Sequence, residues 1–226
     1  MNVELQNFIQ QNRILEWKPS LDIPNNLWDS NWPWAPIFSE NYDYTSTMLE
    51  MDEIDYLFVP HRDKDKIKSY GHEGWYSVTL HGISYDKTEH FDRYGFSSQE
   101  EAGYNWTDIC SMIPKTIELI KSFPFKNYGR IRIMRLSPGG YIMPHVDGPS
   151  RVFGPFNFAL SNPQGCEFIF ENYGLVPFQI GRGFMLDIGN RHCVYNGSNQ
   201  YRYHVIVHGE PLSNINEFIL NSIRQL

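Results

Sequence analysis

The chain has little cysteine, no long apolar run and no excess of positive charge. Its three cysteines, Cys110, Cys166 and Cys193, include no closely spaced pair, which argues against a structural zinc site and a disulfide framework. An odd count suits a reducing compartment, and Cys193 reads as a small wall residue. No segment approaches the roughly 18 apolar residues of a membrane span. Met1-Asn2-Val3-Glu4 shows no basic region leading into an apolar run. These absences predict a soluble, unsecreted, cytoplasmic protein with no membrane partner. The formal net charge of −7 sets aside phosphate-backbone binding as the main activity, because that affinity rests on clustered Lys and Arg. Arg130, Arg132 and Arg135 form at most a local basic patch, with Arg130 read as pairing with surface acids.

Internal repeats and low-complexity tracts are missing too, and the one charge-dense stretch, Asp63 to Lys68, is too short for a linker. The 226 residues are therefore read as one domain: an N-terminal helical, substrate-side region over 1–128, a β core over 129–211, and a C-terminal helix over 212–226. Helices are predicted at Val3 to Ile14, Ser46 to Leu57 and Asn214 to Gln225. Another follows Thr107, where Ile109, Ile113, Ile117 and Ile120 recur at helical spacing and Pro114 marks a kink or the true first turn. Trp75 to Leu80 alternates as a strand. From Gly129 to Gly209 short strands bounded by Gly, Pro or Asn predict a mainly β fold with flanking helices, a double-sheet jelly-roll barrel. The aromatic content of 15% is mostly core, with Trp28, Trp32 and Trp34 as candidates for a substrate-facing lid.

Within the β core, His145-Val146-Asp147 follows a predicted turn at Pro138-Gly139-Gly140, and His192 comes 47 residues later (192 − 145). In an extended chain residues i and i+2 face one way, so His145 and Asp147 share an interior. Two imidazoles and a carboxylate leave a divalent metal with open positions, the pattern of a non-haem iron(II) site. A second triplet, His61-Arg62-Asp63, runs straight into lysines and aspartates and reads as a solvated turn. Ten residues beyond His192 (202 − 192) stands Arg202, opening a strand in which Arg202, His204, Ile206 and His208 share one face. A guanidinium in a barrel wall needs an anion, and the distal carboxylate of 2-oxoglutarate would fit.

Over roughly residues 130 to 211 the chain resembles the iron(II)- and 2-oxoglutarate-dependent oxygenases, and within them the aspartyl/asparaginyl β-hydroxylase-like family. The resemblance is carried by the arginine-rich strand before Ser137-Pro138-Gly139-Gly140, by Pro144-His145-Val146-Asp147, and by Phe158-Ala159-Leu160 before Pro163-Gln164-Gly165. His192-Cys193-Val194-Tyr195-Asn196 and Arg202 complete it. It implies His145, Asp147 and His192 as iron ligands, Arg202 as the 2-oxoglutarate anchor, dioxygen as co-reactant, and hydroxylation of an amino acid or of an amino-acid side chain in a peptide or protein. Animal members carry histidine in the strand where this chain has Asn157, and some lack the aspartate retained here as Asp147.

Other polar residues keep two readings. Asn196 either steadies its loop or touches the cosubstrate. His204 either bonds a carboxylate in the pocket or is a satisfied core histidine, and Arg151 and Asn157 are candidate anion binders. Two other functions also fit a double-sheet barrel, a cupin-like metalloenzyme that does not use 2-oxoglutarate and a non-catalytic binding module.

Overall fold

The computed structural model describes residues 2–25, 27, 31–61, 71–148 and 154–226. Arg62 to Lys68, Trp28 and Arg151 lie outside the described residues. The chain opens with α1 (Val3–Asn12), β1 (Trp34–Phe38) and α2 (Tyr44–Glu53), then β2 (Val59–Pro60), β3 (His72–Gly82) and β4 (Asn105–Trp106). After α3 (Pro114–Ser122) come β5 (Phe125–His145), β6 (Phe156–Ser161), β7 (Cys166–Phe170) and β8 (Gly174–Leu175). The last elements are β9 (Arg182–Leu186), β10 (His192–Asn196), β11 (Arg202–Pro211) and α4 (Ile215–Ile223).

All the described strands belong to one antiparallel, 11-stranded sheet ordered β1-β9-β6-β11-β5-β10-β7-β8, with β3 also along β5. The fold turns on β5. Its first part pairs with β11 up to Leu136, and its last part, from Tyr141 to His145, pairs with β10. Between them Ser137–Gly140 forms an irregularity, visible as a register shift against β3 between Glu73 and Trp75. The turn expected at Pro138-Gly139-Gly140 is thus a bulge inside one continuous strand. Proline lacks the N–H a ladder needs, and Gly139 sits at φ 71°, where a side chain would be strained. A bulge bends its strand, and here it carries β5 from one face of the barrel to the other.

Three apolar clusters record the layering. Trp34, Leu136, Ile142, Ala159, Phe168 and Phe184 come from both halves of the sheet and fill the barrel interior. The other face of the larger half packs Ile131, Ile133, Val205 and Val207 against Met51, Ile117, Ile120 and Ile219 of α2, α3 and α4. Outside the smaller half, Leu5, Phe8 and Ile9 of α1 cover Ile169 and Cys193. Period-two alternation sets these faces. Along β11, Tyr203, Val205 and Val207 turn to the helices, while Arg202 and His204 turn inward, as the sequence predicts.

In the N-terminal part the strand expected at Trp75 to Leu80 is β3, which runs along β5, and a strand that was not expected, β1, pairs with β9; Trp-Pro composition hid β1, whose proline has room on an edge strand. After Thr107 a short 3-10 turn over Asp108–Ser111 leads into α3, whose first turn is occupied by Pro114, the second of the two readings of that residue; there a missing N–H costs nothing. Glu50 of α2 caps it, accepting from the backbone N–H groups of Lys115 (2.6 Å) and Thr116 (2.8 Å) and from the Thr116 hydroxyl (2.7 Å). The reading of Trp34 as a lid residue is corrected: at 1% exposure it is a core ring, whereas Trp32 is half-buried.

Candidate active site

The strand pairing of β5 with β10 sets His192 directly opposite His145. Their ring centroids are 4.3 Å apart. Each imidazole is tied from behind. His145 donates Nδ1–H to the Met143 carbonyl (2.7 Å) and His192 donates Nδ1–H to the Asn190 carbonyl (2.9 Å). Both rings therefore hold the tautomer with a bare Nε2, the arrangement by which second-shell carbonyls orient metal-binding histidines. The Asp147 Oδ2 lies 3.3 Å from the Nε2 of His145 and 3.8 Å from that of His192. The three groups form a cluster whose donor atoms all lie within 4.8 Å of one another.

Neighbouring donors on a divalent ion with bonds near 2.1 Å lie about 3 Å apart, so small side-chain rotations close this set around one ion. Its two-nitrogen, one-carboxylate composition fits iron(II), with positions left for other ligands. The His145 and His192 side chains are buried (5% and 3% exposed) and Asp147 is at the open side (32%). Val146 points away from them into solvent. Phe168 stacks on the His192 ring at 5.1 Å and 7°. Burial, then the neighbouring His145, push the His192 pKa down to about 4 against the pull of Asp147; neutral imidazole is the form a metal takes.

Arg202 lies on the facing wall. Its pKa is pushed down to about 10 by burial, and among the described residues no carboxylate reaches it. Its Nε–H donates to Asn162 Oδ1 (3.2 Å) and a terminal N–H donates to His204 Nδ1 (3.0 Å). His204, held neutral by burial and by Arg202, donates Nε2–H to Asn162 (3.3 Å). The Asn157 side-chain amide stands 2.7 Å from the same Nδ1. Since that nitrogen accepts, the amide NH2 is the group that suits it, amide O and N being interchangeable in placement. The outcome is a buried cation surrounded by neutral groups, which calls for an anion.

The sequence-predicted residues divide into two sets. His145, Asp147 and His192 are brought together, and Arg202, His204 and Asn157 form a second group on the barrel's inner side. Asn196 is fully buried and engaged in its hairpin: its NH2 donates to the carbonyls of Leu136 (2.9 Å) and Gln200 (2.8 Å), and Oδ1 accepts from Ser198. It steadies the loop that feeds Arg202. Asn162 went unread in the sequence, because a lone asparagine before Pro163 looks like turn chemistry. His61, expected in a solvated turn, is buried at 3%, packed on Trp75 with the rings tilted and their centroids 4.1 Å apart, and bonded through Nδ1 to the Ser77 hydroxyl. A cleft of about 530 Å³ lined by Tyr42, Asp43, Lys115 and Glu118 lies on the helix side of the sheet and includes none of these groups.

A bent antiparallel barrel with an inward-facing donor triad at the end of one strand and on its partner is the double-stranded β-helix of the 2-oxoglutarate oxygenases. The family described as aspartyl/asparaginyl beta-hydroxylase matches residues 45–210, well over half of the sequence, and the chain belongs to that family. Among solved structures, it is similar to a prolyl hydroxylase from Trichoplax adhaerens in complex with a hypoxia-inducible-factor peptide. That likeness covers 92% of this chain and 94% of the other at 12% identity, with a TM-score of 0.51, and it speaks to the fold. A prolyl-4-hydroxylase from Pseudomonas putida is matched at 12% identity over 81% of this chain and 97% of the other, with a TM-score of 0.44. No curated protein matches the sequence. Among the described residues no helix is long and apolar enough to cross a membrane.

Proposed function

We propose that the whole chain, 1–226, acts as one oxygenase domain that hydroxylates an unactivated C–H of an amino acid, or of an amino-acid side chain in a peptide or protein. His145 Nε2, Asp147 and His192 Nε2 would hold iron(II), and Arg202 would hold the distal carboxylate of 2-oxoglutarate. When bound, iron(II) with 2-oxoglutarate and dioxygen supplies the oxidising power, coupling decarboxylation to succinate and carbon dioxide with insertion of oxygen into the C–H bond.

The chain's own residues do the positioning. Met143 and Asn190 carbonyls fix both imidazoles with Nε2 forward, so no ring flip precedes metal capture. Asn162 and His204 hold the Arg202 guanidinium in one plane, ready for a two-point grip on a carboxylate. Asn157 sustains that network through His204. Phe168, Phe170 and Phe178 surround His192 and His204, keeping water from this part of the cavity.

The observation that carries this reading is the pairing of a convergent two-histidine, one-aspartate set with a buried arginine whose described partners are all neutral. A cupin-like enzyme without a 2-oxo acid would have no use for that cation. The test is succinate release from 2-oxoglutarate with iron(II), screened against free amino acids and short peptides. Turnover should require iron(II) and fall to background in His145→Ala; an unaffected variant would refute the assignment.

A further inference from the structure

The residues on either side of Arg202 share one partner on the opposite face of the sheet. Arg135 of β5 is paired with Tyr203 of β11, and paired residues project to the same face, here the one that packs on the helices. The Arg135 guanidinium is surrounded by three rings, its central carbon 4.7 Å from the Phe58 centroid, 4.8 Å from that of Tyr76 and 5.0 Å from that of Tyr201. It donates to the Asp55 carboxylate and to the Asp55 carbonyl (3.3 Å), in the short turn after α2. The Tyr203 hydroxyl donates to the same carboxylate (3.4 Å), and Phe58 meets the Tyr203 ring edge-on at 5.8 Å. One knot thus holds Tyr201 and Tyr203, while Arg202 between them turns to the interior.

The strand ladders support this point of the backbone poorly. Against β6 the register shifts between Tyr203 and His204, so pairing on that side becomes regular only beyond Arg202. On the other side Leu136, the partner of Arg202, is the last residue before the Ser137–Gly140 bulge. Bulges interrupt the ladder, and side chains take over its task. The Ser161 hydroxyl accepts from the Tyr203 N–H (3.0 Å) and donates to the Tyr201 carbonyl (3.3 Å); Arg135 holds the two side chains.

Stability alone does not account for a cation here. Arg135 is 8% exposed and its Nε has no hydrogen-bond partner, a cost that an apolar side chain among the same rings would not carry. Asp55 keeps 51% of its side chain exposed, so it can rehydrate when its partner is removed. What an apolar residue cannot do is set three rings and a carboxylate around one rigid plane. We infer that Arg135 is a positioning residue for the cosubstrate: it clamps Tyr201 and Tyr203 from behind and so fixes where the Arg202 guanidinium meets the distal carboxylate of 2-oxoglutarate. The clamp deepens the oxygenase reading, on which it rests.

A double-mutant cycle on the full-length protein provides the test, read as the Kd for 2-oxoglutarate titrated anaerobically with iron(II) present. In Arg135→Met that Kd should rise about 5- to 20-fold, within the range of coupling between residues that share partners. Iron(II) affinity, and kcat for succinate release at saturating 2-oxoglutarate, should stay at the wild-type values. In an Arg202→Gln background the same substitution should add nothing, because the guanidinium it positions is gone; a merely structural role would weaken binding in both backgrounds alike. Arg135→Lys keeps the charge beside Asp55 but loses the flat contact with the rings, and should recover part of the affinity. Should Arg135→Met fail to fold, Asp55→Asn takes its place, with a Kd raised at least about twofold only where Arg202 is present. An unchanged Kd in the folded variant, or an equal rise with and without Arg202, overturns the inference and leaves the oxygenase reading standing. A wild type that neither binds nor consumes 2-oxoglutarate overturns the oxygenase reading and the clamp's role with it.

Discussion

His145 and His192 face each other across paired strands, each with its Nδ1–H bound to a main-chain carbonyl two residues earlier, Met143 and Asn190. The symmetry has a local origin: each ring turns back on the carbonyl two residues before it, within β5 for His145 and in the Gly189-Asn190 turn for His192. Orientation is thus built from local backbone.

The cosubstrate anchor gives the first prediction. Arg202→Gln removes the charge while keeping hydrogen-bonding capacity, so the KM for 2-oxoglutarate should rise about 10- to 100-fold, as for loss of a charge-assisted bond. Metal affinity should stay at the wild-type value. Steady-state kinetics and metal titration on the same preparation check both halves.

Acid should destabilise the metal-free protein in a defined window. The His192 pKa is pushed down to about 4 from 6.5, and those of His204 and His208 are also well lowered. Between those values the unfolded chain binds more protons than the folded one, so stability is full above pH 6.5 and is lost as pH falls toward 4. His192 alone contributes roughly 3 kcal/mol across that range. Urea unfolding of chelator-treated protein at several pH values measures it; a flat profile between these limits would show that the rings are not held neutral.

Glu50 should matter far from the metal. Replacing it with alanine leaves two backbone N–H groups and the Thr116 hydroxyl at the start of α3 without their acceptor, a loss of about 1–3 kcal/mol. A lowered Tm with an unchanged KM for 2-oxoglutarate is the expected result.

Asn196→Ala tests the bracing role. The amide is wholly buried and holds the Leu136 and Gln200 carbonyls, so its removal should cost about 2 kcal/mol in stability by leaving buried acceptors unmet. Chemical denaturation reads the loss directly. A stable variant with weakened 2-oxoglutarate binding would instead make Asn196 a cosubstrate contact.

Much of this site was legible in the sequence because its signals are local. A His-x-Asp triplet at a strand end, a histidine after a Gly-Asn turn and an arginine in an apolar alternating strand each state their direction through period-two geometry. What stayed hidden depends on partners distant in sequence. The bulge at Ser137–Gly140 looks like a hairpin turn until β3 is seen to continue beside it. Asn162 gains its role only when β11 delivers Arg202 beside it. His61 lies in a hydrophilic run, yet the fold inserts it between Trp75 and Arg132. The Ile109 to Ile120 spacing leaves two readings of Pro114, a kink or a first turn, because apolar periodicity continues through the 3-10 turn before it; the structure has the first turn.

The central claim is that His145, Asp147 and His192 share one ion, and equilibrium iron(II) binding under anaerobic conditions tests it most directly. The account predicts one ion per chain for the wild type and a large loss of affinity in each of His145→Ala, Asp147→Ala and His192→Ala, with folding intact by circular dichroism. Wild-type affinity in any one of the three folded variants would contradict it.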